Sequence, residues 1–227
     1  MTSGKTVIIN ILMNIIPQMY DFFAGPFLYI TVPLCIAGLA RKTVIIVSAL
    51  QQGLRFPVYR AGYIIPFSEQ GELSPVPFKW RNYLFILLSV LFHISIIAAP
   101  VTARGHGILL DLSWGILPPR VSPAVTSSLT GMAMVTGVLF LCRRLFVRHV
   151  RDISSWRDYA LMISVLVPYV TGMMAKGMIG NYEIVMLVHC IGAHILLVAV
   201  GWTRLGHMIF YIAGILPLSG RAEDVTV

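Results

Sequence analysis

Five stretches of this sequence are apolar for close to the length that crosses a lipid bilayer, and no other feature narrows the fold as far. A helix needs roughly 20 apolar residues to span the hydrocarbon core. In lipid every backbone N–H and C=O must be satisfied within the structure, which favours membrane-spanning helices. The runs are residues 21–40, 83–99, 124–142, 159–175 and 184–211. They predict an all-α integral membrane protein with five transmembrane helices, in a single domain over residues 1–227. With 57% hydrophobic residues against 11% charged, a soluble globular chain is a poor alternative.

The segments around these runs set the topology. TVIINILMNIIPQMY near the N-terminus is interrupted by Asn10, Asn14 and Pro17. It is short for a span and reads as an interfacial helix leading into the first one. The start as a whole, MTSGKTVIINILMNIIPQMYDFF, carries one Lys and no small-residue cleavage site, unlike a secretory signal. Pro33 is expected to bend the first span, and Arg41 and Lys42 to end it. Residues 43–80 read as a cytoplasmic loop with a membrane-surface helix, followed by polar, proline-rich SEQGELSPVPFKWR; a re-entrant segment is the alternative. Residues 100–123 read as a connection holding Arg104, His106, turn residues and Trp114, the last an interface anchor.

The net charge of +8 is no argument for nucleic acid. Loops 41–81 and 143–157, with Arg204 and Arg221, hold 13 of the 17 Lys and Arg, against Lys5, Arg104, Arg120 and Lys176 elsewhere. The positive-inside rule then puts the N-terminus outside and the C-terminus in the cytoplasm. Cys35, Cys142 and Cys190 lack the spacing of an iron–sulfur site and read as small buried hydrophobes. Any redox cofactor must therefore be held by histidine.

His189 and His207 lie 18 positions apart in the last run. On a continuous helix that is five turns, so both imidazoles share a face about 27 Å apart, close to the depth of a bilayer core. Neutral imidazole ligates metals and haem iron, and this helix is expected to supply one axial ligand to each of two haems. The alternative is a pair of interfacial histidines bonded to carbonyls. His93, among apolar neighbours in the second run, is either a third ligand or an interhelical hydrogen-bonding group. His106 lies in Arg104-Gly105-His106-Gly107, where small flanks admit a flat ring; an ordinary loop histidine is the alternative. His149 reads as part of a solvated basic loop. His194, about 140° around the helix from His189, reads as a packing or hydrogen-bonding group, or a reserve ligand. The glycines at 131, 137, 172, 192, 201 and 206 serve close helix approach, or leave room for a macrocycle.

YDFFAGPFLYI in the first run, LFHI at 91–94, CRRLFVRHVRD at 142–152, and LVHC through TRLGH at 187–207 carry a resemblance. The chain resembles the cytochrome b (gamma) subunit family of respiratory nitrate reductases and its relatives. Among these it looks most like the cytochrome b subunit of the Hmc transmembrane redox complex of sulfate-reducing bacteria, with the nitrate reductase gamma subunit, which oxidises quinol, as runner-up. The resemblance implies a single cytochrome b domain of five spans with two b haems stacked across the bacterial inner membrane. His93 and His207 match the ligands of the inner haem, and His189 one ligand of the outer haem. The family's other outer ligand falls at Ala103 here, and His106 is the nearest substitute after an apparent three-residue insertion. One haem rather than two follows if His106 does not serve.

What the resemblance implies is a membrane subunit relaying electrons between the quinone pool, or a periplasmic multihaem cytochrome c, and a cytoplasmic iron–sulfur subunit of the heterodisulfide-reductase-like kind. Arg104, Gly105, His106 and Lys176 are the candidates for contact with menaquinone. Other membrane subunits and lipids are expected partners. Two other classes remain. A secondary transporter predicts acidic residues within the spans and inverted repeats; Asp21, Asp111 and Glu183 lie at span ends instead. A cofactor-free membrane anchor predicts replaceable histidines.

Overall fold

A computed structural model describes residues 15–51, 80–119 and 121–207. Among the described residues the chain is all helix and turn. The elements are α1 (residues 15–24), α2 (Leu28–Gln51), α3 (Trp80–Thr102), α4 (Arg104–Trp114), α5 (Pro123–Phe146), α6 (Arg148–Asp152), α7 (Trp156–Lys176) and α8 (Tyr182–Trp202), with a 3-10 turn at Arg204–His207. Five of these, α2, α3, α5, α7 and α8, are long and apolar enough to cross a membrane. Only 17% to 33% of each of their most apolar stretches is buried within the chain, so most of that surface is left for lipid. This is a multi-pass membrane protein.

The spans differ from the sequence expectation at their ends, for local reasons. The first was expected over 21–40. The chain instead breaks at residues 25–27, where Pro26 has no N–H to donate, and α2 starts at Leu28. Arg41 and Lys42 do not end it; it continues to Gln51. The expected cytoplasmic loop at 43–80 therefore begins as helix, and its remainder, residues 52–79, lies outside the described residues, as do the first part of the interfacial helix and the tail after His207. The second span passes through Pro100 to Thr102 rather than stopping at Ala99. The third and fourth each extend a few residues beyond 124–142 and 159–175. Residues 104–114, expected as part of a connection with turn residues, are helix: α4 ends on Gly115 in the left-handed conformation, φ 66°, whose N–H bonds back to Asp111 O, while the Ile116 N–H bonds to Leu110 O.

The last run is the largest correction. It is not one helix over 184–211. The α-helix ends at Trp202 and the chain turns through Thr203 into the 3-10 segment.

The described chain forms two compact units, residues 15–32 with 84–197, and residues 33–51 and 80–83 with 198–207. In the first, α5 packs on α7. Phe92 sits against Phe140 with centroids 5.3 Å apart, over Gly137. A Cβ at Gly137 would come within 2.6 Å of Leu166 Cδ2, and one at Gly192 within 2.8 Å of Val167 Cγ1. These two glycines let helices touch, as small residues do in membrane interfaces. Tyr169 donates to Ile96 O at 2.5 Å, tying α7 to α3. In the second unit, Gly38 and Gly201 bring two backbones into contact. One turn on, Lys42 donates to Val200 O at 3.0 Å and Thr203 O at 2.6 Å. The lysine thereby bonds carbonyls at the end of α8 and in the turn that follows it, and α2 continues through its charge.

Candidate functional site

The break between α3 and α4 creates the site. Pro100 lacks an N–H, the helix interrupts at Ala103, and His106 comes round on the first turn of α4. Its Nδ1 donates to Pro100 O at 2.9 Å. Across from it, His189 of α8 places Nδ1 2.9 Å from Pro168 O of α7. Thr171 Oγ1 is 3.3 Å from the same nitrogen. A carbonyl oxygen can only accept, so each imidazole carries a proton on Nδ1 and, in its neutral form, a lone pair on Nε2.

Those two Nε2 atoms are 3.4 Å apart. The ring planes are 20° apart and the centroids 5.7 Å apart. The centroid separation exceeds the Nε2 separation by 2.3 Å, about twice the distance from an imidazole centre to its own nitrogen. The rings therefore meet head to head, with both nitrogens on the line between them, and are not stacked face on face. Two lone pairs directed at each other repel unless an electrophile lies between them.

The separation discriminates among electrophiles. It is long for an N–H···N hydrogen bond, which falls mostly within about 3.2 Å. A metal ion bridging two imidazoles in line, at bonds of about 2.0–2.1 Å, asks for roughly 4.1 Å, a few tenths of an ångström of movement per ring. Among the described residues no three His, Cys, Asp or Glu side chains converge. A centre here would have two protein donors in line and would draw its remaining ligands from the group itself. Two imidazole nitrogens are donors that a haem iron takes, and His106 and His189 would be the residues to hold one.

Gly172 makes room for this arrangement. A Cβ there would stand 3.1 Å from His189 Cε1 and 3.3 Å from Nδ1. Of the glycines expected to serve close helix approach or to leave room for a macrocycle, 137, 192 and 201 lie at helix contacts. Gly206 is pressed by Lys42 Nζ and Val200 O. Nothing lies within 4 Å of a Cβ at Gly131. On the far side of Thr171 an apolar hollow of about 320 Å³ is lined by Ile163, Leu166, Val167, Val170, Thr171 and Val188.

The other histidines sort by the same test. His93 donates Nδ1–H to Ser89 O at 2.6 Å, and His207 donates to Arg204 O at 2.9 Å. All four expected ligands thus anchor Nδ1 on a backbone carbonyl, the orientation metal-ligating histidines take through their outer partners. His194 does not. Its Nε2 donates to Phe23 O at 2.7 Å and its Nδ1 meets Thr31 Oγ1 at 2.8 Å. Buried against the rings of Phe23 and Phe27, it is the hydrogen-bonding residue the sequence reading expected. His149 is exposed on α6. His93 and His207 belong to different units, and α8 ends before His207, so the shared face expected for His189 and His207 is withdrawn.

Of the menaquinone candidates, Arg104 and Gly105 are exposed beside His106 on α4. Lys176 is committed elsewhere, to Ser127 Oγ and, at 3.4 Å, to Pro123 O of α5. Sequence reading missed the carbonyls of Pro100 and Pro168 and the space at Gly172. The prolines were visible, but only as helix-bending residues.

The fold defines an all-α, multi-pass membrane protein with a half-buried facing pair of histidines. A protein of Nitratidesulfovibrio vulgaris (strain Hildenborough), named only "Protein", is 27% identical over 202 residues, spanning 85% of this chain and 88% of its own. No protein-family model matches the chain, and no solved structure matches it.

Proposed function

We propose that the chain is a haem b-carrying membrane subunit of a respiratory redox complex in the bacterial inner membrane. In this reading it relays electrons between the quinone pool, or a periplasmic multihaem cytochrome c, and a cytoplasmic iron–sulfur subunit. The observation that carries it is the opposition of His106 and His189, Nε2 to Nε2 at 3.4 Å, each held by a carbonyl at its other nitrogen. It also supports His106 as the substitute for the ligand that Ala103 cannot provide. His93 and His207, both anchored through Nδ1, are proposed for the inner haem on the strength of the sequence resemblance. The distribution of Lys and Arg supports a periplasmic N-terminus and a cytoplasmic C-terminus.

Haem b supplies one-electron redox chemistry; the chain supplies position and tuning. The Pro100 and Pro168 carbonyls fix the tautomer of each imidazole and raise the basicity of its Nε2. His106 and His189 would be the residues that hold the group, and held by two imidazoles it would supply electron transfer rather than binding of a diatomic gas. Gly172 and Thr171 hold the His189 ring in plane, and the apolar spans exclude water. Exposed Arg104 and Gly105, beside His106, are the proposed contacts for menaquinone; Lys176, turned to α5, is a weaker member of that set.

The test is the haem-to-protein ratio of the intact subunit by pyridine haemochrome, for the native chain and for His93→Ala, His106→Ala, His189→Ala and His207→Ala. A ratio near two, with each substitution removing one haem, supports both pairs. A ratio near one, lost only with His93 or His207, confines the reading to the inner haem. Absence of haem from the subunit assembled in its native membrane refutes the reading and leaves a cofactor-free anchor with an imidazole pair.

A further inference from the structure

The connection between α5 and α7, residues 147–155, falls where two spans end together, so it lies at one membrane surface. Its side chains divide into two sets. Arg143 and Arg144, in the last turn of α5, are engaged by the protein: the exposed Arg143 places its guanidinium 4.3 Å over the Phe85 ring, and Arg144 reaches Ser154 Oγ at 2.9 Å and Asp158 at 3.7 Å. Asp158 also closes a capping box with Ser155. These contacts fix the hairpin. Arg148, His149, Arg151 and Arg157 face outward. Arg148 reaches Asp152 only at 4.0 Å, with 90% and 60% of the two side chains exposed, a pair of little worth in water.

Between these cations stand three large apolar side chains with almost nothing of the protein against them. Phe146 is 79% exposed, Ile153 83% and Trp156 74%. Three such side chains beside one hairpin are costly in water and favourable in the upper acyl region. Arginines at the same level reach headgroup phosphates, as on an interfacial amphipathic segment. A soluble acidic protein would satisfy the arginines but would also have to cover the apolar side chains at the depth where the bilayer begins. A phospholipid serves both at once.

We propose that the α5–α7 hairpin is a binding site for anionic phospholipid, with Arg148, Arg151 and Arg157 on the headgroup and Phe146, Ile153 and Trp156 among the acyl chains. This goes beyond the electron-transfer reading and does not depend on it. The test uses the full chain in nanodiscs of phosphatidylcholine with and without phosphatidylglycerol. A variant keeping Trp156 as the sole tryptophan (Trp80, Trp114 and Trp202→Phe) is read by quenching from lipid spin-labelled near the glycerol or at the chain end. Native mass spectrometry reads the lipid retained. The site predicts stronger quenching from the shallow label and selective retention of phosphatidylglycerol. Replacing the three arginines by Gln should lower that retention about a hundredfold, each surface cation contributing about fivefold, and replacement by Lys should preserve most of it. Because the Lys form keeps charge and fold, loss in the Gln form alone is not misfolding. Unquenched Trp156, or retention unmoved by Gln, overturns the proposal. So does shielding of Trp156 that appears only when a soluble acidic subunit is added, which would assign the patch to protein.

Discussion

Gly172→Ala should separate the stability of α7 from the integrity of the histidine pair. The new methyl would stand 3.1 Å from His189 Cε1 and 3.3 Å from Nδ1, where ordinary contact begins near 3.4 Å. The ring must withdraw by a few tenths of an ångström, at a cost of about 1 kcal/mol for a crowded site. Alanine in place of a mid-helix glycine returns about 1 kcal/mol in helix propensity. The two effects nearly cancel, so the thermal midpoint should move by only a few degrees. The site has no such compensation. Movement of the ring disturbs both the 2.9 Å bond to Pro168 O and the 3.4 Å approach to His106. A loss of about 1 kcal/mol there is about a fivefold loss of affinity for whatever the pair holds. Gly172→Val adds two more methyl-sized obstacles and should abolish the site. The assay is haem content together with low-spin electron paramagnetic resonance, in which the outer signal should shift or vanish while the inner one persists. If both variants keep the native ratio and both signals, His189 is not placed against Gly172 as described, and the argument for the pair fails.

Three further outcomes follow from single contacts. Lys42→Met removes two charge-assisted bonds to the end of α8 and should destabilise by about 1–3 kcal/mol after allowance for partial exposure, read as a lower thermal midpoint in detergent; an unchanged midpoint would mean that the carbonyls find other partners. Tyr169→Phe loses the bond to Ile96 O and should cost about 1 kcal/mol in the same melt, with haem content unaltered. Thr31→Val leaves His194 Nδ1 without its hydroxyl and should destabilise by about 1–3 kcal/mol. Because His194 is structural, the haem ratio in Thr31→Val and in His194→Gln should stay at the native value; loss of a haem in either would make His194 a ligand.

The class of fold was legible because it depends on a sum. Five apolar runs of bilayer length specify membrane helices whatever their neighbours are, and α2, α3, α5, α7 and α8 are those runs. Their ends were less legible because ends depend on single groups. Lys42 looks like a stop signal in sequence, yet in the structure it bonds to Val200 O and Thr203 O and leaves α2 running on. Residues 104–114 look like a connection because of Gly105, Gly107 and the polar Arg104, yet they form α4.

The histidines show the same division. Composition and spacing singled out His93, His106, His189 and His207 and set His194 apart. What the sequence by itself determined is the number and apolarity of the spans and which imidazoles stand at which level along the chain, since both follow from residue type and order. That His106 faces His189, that both rings hang from proline carbonyls, that Gly172 gives one of them its space, and that α8 stops before His207 were decided only by tertiary structure. Each turns on distances of a few ångströms between segments remote in sequence, and no local pattern encodes them.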